Sequence, residues 1–283
     1  MLTETIAAGL QLKIVKAQSL QRVVVDTTVQ EKAVAYPTDG KLYDDMRRKL
    51  VRMAKWDGIA LAQSYVRCGK RRLADLGRSA RGRHKAGIRK HTRKLRTYLG
   101  RVMRDIGRKL PESERSEVWQ QALALARKMM QQQPGEPDRV YSVYAPEMQC
   151  IAKGKLRKPY EFGHKVGLVT TAKEQFVLGA MAFPQQPYDG HTLAACVEQV
   201  EKLMGQRIRG EIYVDKGYRG HDYEGPAQVL IAKPKRKQEP QLRRWYKKRN
   251  GIEAAISHMK NDGWLGRSYL KGMLGSRINA LLS

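Results

Sequence analysis

Acidic side chains and phenylalanine are scarce in this 283-residue chain, with 27 Asp plus Glu against 55 Lys plus Arg and only three Phe. Cysteine is equally rare. Cys68, Cys150 and Cys196 are odd in number, far apart and in no C-x-x-C or Cys/His spacing. That excludes a disulfide framework and a zinc module, and it suits a reducing cytosol. No apolar run reaches the roughly eighteen residues of a membrane span. The start, MLTETIAAGLQLKIVK, has neither the basic opening nor the long apolar segment of a secretory signal. The shortage of acid leaves a net charge of +28. The simplest partner for that balance is nucleic acid, bound by phosphate neutralisation and counterion release.

Against this basic background, a few carboxylates stand at informative places. RVVVDTTVQ, residues 22–30, opens with three consecutive valines, the pattern of a strand buried on both faces. Asp26 closes that run. It either caps a turn with Thr27 and Thr28 or serves as a ligand, since an unpaired buried carboxylate is costly. GEIYVDKGYRG, residues 210–220, repeats the layout, with Ile212-Tyr213-Val214 followed by Asp215 and a glycine turn. In open α/β sheets ligands gather beyond the carboxyl ends of strands, so two strand-end aspartates can face one site.

Between these strands the composition changes. From Lys41 to Leu110, 23 Lys and Arg stand against five Asp and no Glu. Leu42, Met46, Leu50 and Met53 recur at helical spacing, as do Leu95, Leu99, Val102, Met103 and Ile106. Val118, Ala122, Leu125 and Met129 mark a further stripe, which Pro134-Gly135-Glu136-Pro137 ends. The chain therefore divides into residues 1–40, with a short helix and the first strand, a basic helical insertion over 41–133, and the remainder from 134 to 283. The local charge imbalance favours DNA contact over a merely solvated helical face.

In the last part, VYSVYAPE, FGHKVGLVTT and FVLGAMAFP read as strands, with a basic hairpin loop at Lys153–Lys158 between the first two. Pro187-Tyr188-Asp189-Gly190-His191 reads as a turn, with His191 a capping residue. The following helix has Leu193, Cys196, Val197, Val200 and Leu203 as its buried stripe. QVLIAKP, residues 228–234, is a further strand, and a basic loop at Lys235–Lys237 leads to RRWYKKRNGIEAAISHMK, residues 243–260. If that stretch is one helix, Tyr246, Arg249, Glu253 and Lys260 share an arc of about 60° on one face. Two Asp and one Glu brought together can hold two divalent ions about 4 Å apart, and hard oxygen donors select Mg²⁺ or Mn²⁺.

The spacing Tyr246-x2-Arg249-x3-Glu253-x6-Lys260 resembles the Y-R-E-K signature of bacterial insertion-sequence transposases. VVVDTTVQEKAVAYPTD and YVDKGYRG look like the segments around the first and second catalytic Asp in the insertion-sequence-five group. The order of strands and helices from about residue 20 onward resembles the RNase H-like fold of DDE transposases and retroviral-type integrases. That resemblance implies an α/β fold, an RNase H-like mixed sheet flanked by helices, with the basic all-helical block inserted after the first strand. It also implies a DNA transposase with two Mg²⁺ or Mn²⁺ ions on Asp26, Asp215 and Glu253, cleaving and rejoining insertion-sequence ends. Tyr246, Arg249 and Lys260 would then contact DNA, Tyr246 by stacking on an extruded base, with Lys216 and Tyr218 as further contacts. The expected partner is double-stranded DNA, bound by a homodimer in the cytoplasm at the nucleoid, with no membrane association. Members of that group carry a longer helical region ahead of the first Asp, so a shortened copy is expected. Two other readings are a hydrolytic nuclease of the same fold and a non-catalytic DNA-binding remnant.

Overall fold

The computed structural model describes residues 2–152, 158–232 and 240–283. Val23, Val24 and Val25 are fully buried and start strand β1 (Arg22–Lys32). The β-branched run continues through Thr27, Thr28 and Val29, and the strand continues with it. Asp26 thus lies within β1 and not at its end, which corrects the sequence expectation. The antiparallel ladder to β3 (Tyr160–Thr171) runs unbroken from Val23↔Thr171 to Glu31↔Gly163.

The chain forms two compact units, Met1–Ala33 with Glu147–Ser283, and Val34–Pro146. The first is a mixed α/β unit around a seven-stranded sheet. Besides β1 and β3 it contains β2 (Gln149–Ala152), β4 (Val177–Ala182), β5 (Glu211–Val214), β6 (Gln228–Ile231) and β7 (Arg267–Ser268). The order is β2-β3-β1-β5-β6, with β4 also on β3 and β7 also on β1. β1, β5 and β6 run parallel, whereas β3 is antiparallel to β1, β2 and β4.

Alternation along the strands sorts the core into two layers. Val23, Val25, Ile212 and Val214 pack with Leu193, Cys196, Val197 and Val200 of α6 (Leu193–Met204), and Ile6 of α1 (Leu2–Gln11) joins them. Val24, Leu168, Ala180 and Tyr213 face the other way. They pack with Tyr246 of α7 (Pro240–Arg249), Ile252 of α8 (Gly251–Asn261) and Ala280 of α9 (Gly272–Leu282). The sheet is therefore flanked by helices on both faces.

The second unit is helical. It comprises α2 (Asp39–Trp56), α3 (Val66–Arg81), α4 (Lys85–Lys109) and α5 (Glu117–Gln131). Leu42, Met46 and Leu50 of α2 pack with Leu95, Leu99, Val102 and Ile106 of α4 around one core. On α5 the buried stripe is Trp119, Ala122, Leu123, Ala126 and Met129; Val118 is 65% exposed. That stripe sits one residue round from the expected one because Trp119, the largest apolar side chain there, takes the inward position. Its indole N–H donates to Asp57 Oδ2 at 2.6 Å.

The segment 140–147 is not a strand. Val140 and Val143 are buried in the helical unit's core, and Ser142 Oγ accepts from the amides of Tyr144 and Ala145, closing a local turn. The basic loops expected at 153–158 and 235–237, and the end of the strand expected over 228–234, lie largely or wholly outside the described residues.

Candidate functional site

The parallel register between β1 and β5 builds the centre of the site. Arg22 pairs with Glu211, Val23 with Ile212 and Val24 with Tyr213, a constant offset of 189 residues. The same offset sets Asp26 level with Asp215 (26 + 189 = 215), one residue beyond the end of β5. Period-two alternation gives Asp26 the face of Val24, and Asp215 that of Tyr213. Two residues remote in sequence thus become neighbours through sheet geometry.

Each aspartate is held by a backbone amide. Thr27 N–H donates to Asp26 Oδ1 at 2.7 Å, and Gly217 N–H donates to Asp215 Oδ1 at 2.7 Å. The second bond makes Asp215 the N-cap of a short 3-10 turn, Lys216–Tyr218. A Cβ on Gly217 would lie 2.9 Å from Asp215 Oδ1 and 3.2 Å from Asp189 Oδ2, which leaves little room for a larger residue there. Burial pushes the Asp26 carboxyl up to about 6, and the charges of Asp215 and Asp189 push the same way; the Thr27 amide and Arg249 pull against them.

Asp189 is the residue that sequence reasoning missed. It starts the 3-10 turn Asp189–Thr192, and its Oδ1 accepts from Thr27 Oγ1 at 2.8 Å and Lys165 Nζ at 2.7 Å. In the sequence it sits in a Pro-Tyr-Asp-Gly turn, where aspartate is common for local reasons. No spacing ties it to Asp26. Lys165, at the centre of β3, gave an available signal: a lone cation in a strand of buried residues calls for an anionic partner.

The 243–260 stretch is not one helix. Asn250 separates α7 from α8, although its own backbone is right-handed helical and Arg249 and Glu253 still pair across it. Asn and Gly are poor helix formers, and Gln175 fills the break, donating to Lys248 O at 3.1 Å. Arg249, at the end of α7, stands between two carboxylates. Its Nη1 is 3.7 Å from Asp26 Oδ2 and its Nη2 is 3.7 Å from Glu253 Oε1. Glu253 itself is 68% exposed. Among the described residues, no group of three or more His, Cys, Asp or Glu is close enough to hold a metal ion. The structure brings Asp26 and Asp215 together and links Glu253 to Asp26 through a guanidinium.

Two expected DNA contacts are corrected by burial. Tyr218 is fully buried in the core on the α6 side, and Tyr246 is 7% exposed. Tyr246 donates to Ile231 O at 3.3 Å and meets Tyr213 edge-on at 6.0 Å, so its ring supports the sheet and presents no face to a base. Lys216 is exposed beside Asp215, and Lys260 is partly exposed on α8. Among the described residues, no helix is long and apolar enough to cross a membrane.

A curated protein of Rhizobium meliloti, "Uncharacterized protein ORF8 in nfe locus", is 47% identical over 83 residues. The match covers 29% of this chain and 40% of that protein's length. No family model matches the chain, and no solved structure matches it.

Proposed function

We propose that the chain is a metal-dependent DNA transposase of the RNase H-like, DDE type, acting by phosphoryl transfer at insertion-sequence ends. One observation carries the reading. Asp26 and Asp215 stand level on adjacent parallel strands, and Arg249 joins Asp26 to Glu253, in the order in which the resemblance assigns three ligands. The chain order, β1 with Asp26, strands β2, β3 and β4, helix α6, β5 followed by Asp215, β6, then α7 and α8 with Arg249 and Glu253, supports the RNase H-like reading that the resemblance implies.

The donor chemistry fits a hard divalent cation. The site offers carboxylate oxygens, and burial of Asp26 beside Asp215 and Asp189 concentrates negative charge that Arg249 offsets in part. Asp26, Asp215 and Glu253 would hold Mg²⁺ or Mn²⁺, which would supply activation of water or a 3′-hydroxyl and stabilisation of the leaving oxygen. The chain's own residues prepare that site. The Thr27 and Gly217 amides fix one oxygen of each aspartate, and Lys216 is exposed for a phosphate. Glu253 is free on its solvent side to join the aspartates once Arg249 turns to DNA. On α3 and α4 of the helical unit, Arg67, Lys70, Arg71, Arg81, Arg89, Arg93 and Lys94 are among many exposed cations, and Asp75 and Asp105 are the acidic residues of those helices. That surface suits the backbone of duplex DNA.

The test is to incubate the full chain with duplex DNA carrying the sequences that flank its coding region, with and without Mg²⁺ or Mn²⁺. Expected are divalent-dependent nicks and joined products that need a 3′-hydroxyl, both lost in Asp215→Asn and Glu253→Gln. Wild-type product levels in both variants overturn the reading, and nicks without joining assign a hydrolytic nuclease. The exposure of Glu253 favours a second reading, a non-catalytic DNA-binding remnant. It predicts salt-sensitive duplex binding that survives loss of all three carboxylates, with no turnover.

A further inference from the structure

Asp189 lies outside the three-carboxylate set, yet it bonds the residue after Asp26 and lies beside the turn that follows Asp215. On one side, its Oδ1 accepts from Thr27 Oγ1 at 2.8 Å, and the amide of that same threonine holds Asp26 Oδ1. On the other, its Oδ2 lies 3.2 Å from where a Gly217 Cβ would stand, and the Gly217 amide holds Asp215 Oδ1. Lys165 completes the arrangement. Its side chain is 14% exposed, and its ammonium donates to Asp189 Oδ1 and to Pro187 O, both at 2.7 Å, and so fixes the turn that carries Asp189. Thr192 Oγ1 closes that turn by donating to Asp189 O at 2.6 Å.

A carboxylate placed so serves poorly as a cation ligand itself. One of its oxygens is already saturated by an ammonium and a hydroxyl, and the pair is charge-balanced. It is well placed to hold others. We propose that Asp189 is a positioning residue that, through Thr27, fixes the Asp26 carboxylate for a divalent cation held together with Asp215, with Lys165 as its own anchor. The proposal rests on the reading that Asp26 and Asp215 hold such a cation. Residues behind metal ligands typically change metal affinity about 10- to 100-fold when removed. The same scale is expected here.

The experiment is Mn²⁺ binding to the full chain by titration calorimetry, with metal-free thermal unfolding recorded beside it. Asp189→Ala is expected to weaken Mn²⁺ binding about 10- to 100-fold. Asp189→Asn keeps an oxygen acceptor for Thr27 and Lys165 and is expected to restore most of the affinity. Thr27→Val, which removes only the linking hydroxyl, should lower affinity much as Asp189→Ala does, and the double variant should fall no further. Should Asp189→Ala fail to fold, Thr27→Val and Asp189→Asn still decide. Wild-type affinity in Thr27→Val and Asp189→Ala overturns the proposal and leaves the metal reading intact. Loss in Asp189→Asn as deep as in Asp215→Asn makes Asp189 a ligand and also overturns it. If the wild-type chain shows no binding that depends on Asp26 and Asp215, the reading beneath both proposals fails.

Discussion

Asp26 and Asp215 reach the site on the sheet, whereas Arg249 and Glu253 reach it on two helices, and different forces fix the two pairs. Asp26 sits within β1 and Asp215 directly after β5, strands locked by buried side chains on both faces, and each carboxylate is bonded to a backbone amide. Their positions follow from the fold. Glu253, by contrast, is 68% exposed and meets Arg249 at 3.7 Å. Preorganisation is thus concentrated on the strand side, and adjustability on the helix side.

The sharpest way to break this comparison is to remove one proposed ligand from each side. Asp215→Asn and Glu253→Gln are both expected to lower divalent-dependent DNA cleavage about a thousandfold, the scale of several kcal/mol of lost charge stabilisation. They should differ in binding. Without DNA, Asp215→Asn is expected to abolish Mn²⁺ binding in calorimetry, while Glu253→Gln weakens it only modestly, because Glu253 stands apart in the free chain. Equal losses of affinity would mean that the helix side is as fixed as the strand side.

Burial of Asp26 gives the next largest effect. In the metal-free fold its carboxyl releases its proton near 6, against 3.8 for a free side chain. Folding therefore takes up a proton between those values, and stability declines as pH rises through about 6. At pH 7.5 the ionised Asp26 costs the fold on the order of 2–3 kcal/mol, from roughly two pKa units. Asp26→Asn should remove that cost, raising the metal-free unfolding free energy in urea by this amount at pH 7.5. Below about pH 3, where both states of the wild type are protonated, the difference should vanish. A constant difference at all pH values would locate the effect in packing.

How much of this was legible in the sequence follows the same division. Val23–Val25 and Ile212–Val214 announced buried strands, and the acid after each was visible without any structure. The 189-residue offset that brings those acids level is a pairing register, which no local pattern encodes. Asp189 was hidden because aspartate in a turn needs no partner to explain it. The helix break at Asn250 was written in the Asn-Gly pair, but the helical spacing of Tyr246, Arg249 and Glu253 outweighed it. Tyr246 and Tyr218 were read as available aromatics, since sequence alone does not say which side of an amphipathic turn faces the sheet.

Arg249 is the hinge of the comparison, because it is the cation that stands where the two sides meet. Replacing it with the uncharged Arg249→Met leaves Asp26 without the guanidinium that now offsets it. A divalent cation no longer has to displace that pairing. Mn²⁺ affinity in the absence of DNA should rise about three- to tenfold, in line with a partly buried ion pair of about 1 kcal/mol. Affinity for duplex DNA should fall at the same time if Arg249 makes the proposed phosphate contact. Unchanged Mn²⁺ affinity would show that Arg249 and the cation do not compete.

The smallest effect concerns the break that separates Arg249 from Glu253. Gly251 opens α8, where alanine ordinarily stabilises a helix by up to about 1 kcal/mol. Here a Cβ would meet the Gln175 side chain at 2.7 Å. That side chain bonds Ala172 O and Lys248 O, both at 3.1 Å, so it cannot move without breaking contacts on both elements. Gly251→Ala is therefore expected to destabilise the unit by about 1 kcal/mol, an overpacking cost that exceeds the propensity gain. Combined with Gln175→Ala, which opens the space, the same substitution should be neutral or stabilising relative to Gln175→Ala alone. Urea unfolding of the three variants distinguishes the cases. If Gly251→Ala is stabilising by itself, the break is set by the Asn-Gly pair alone, and Gln175 only occupies a gap that local sequence has already made.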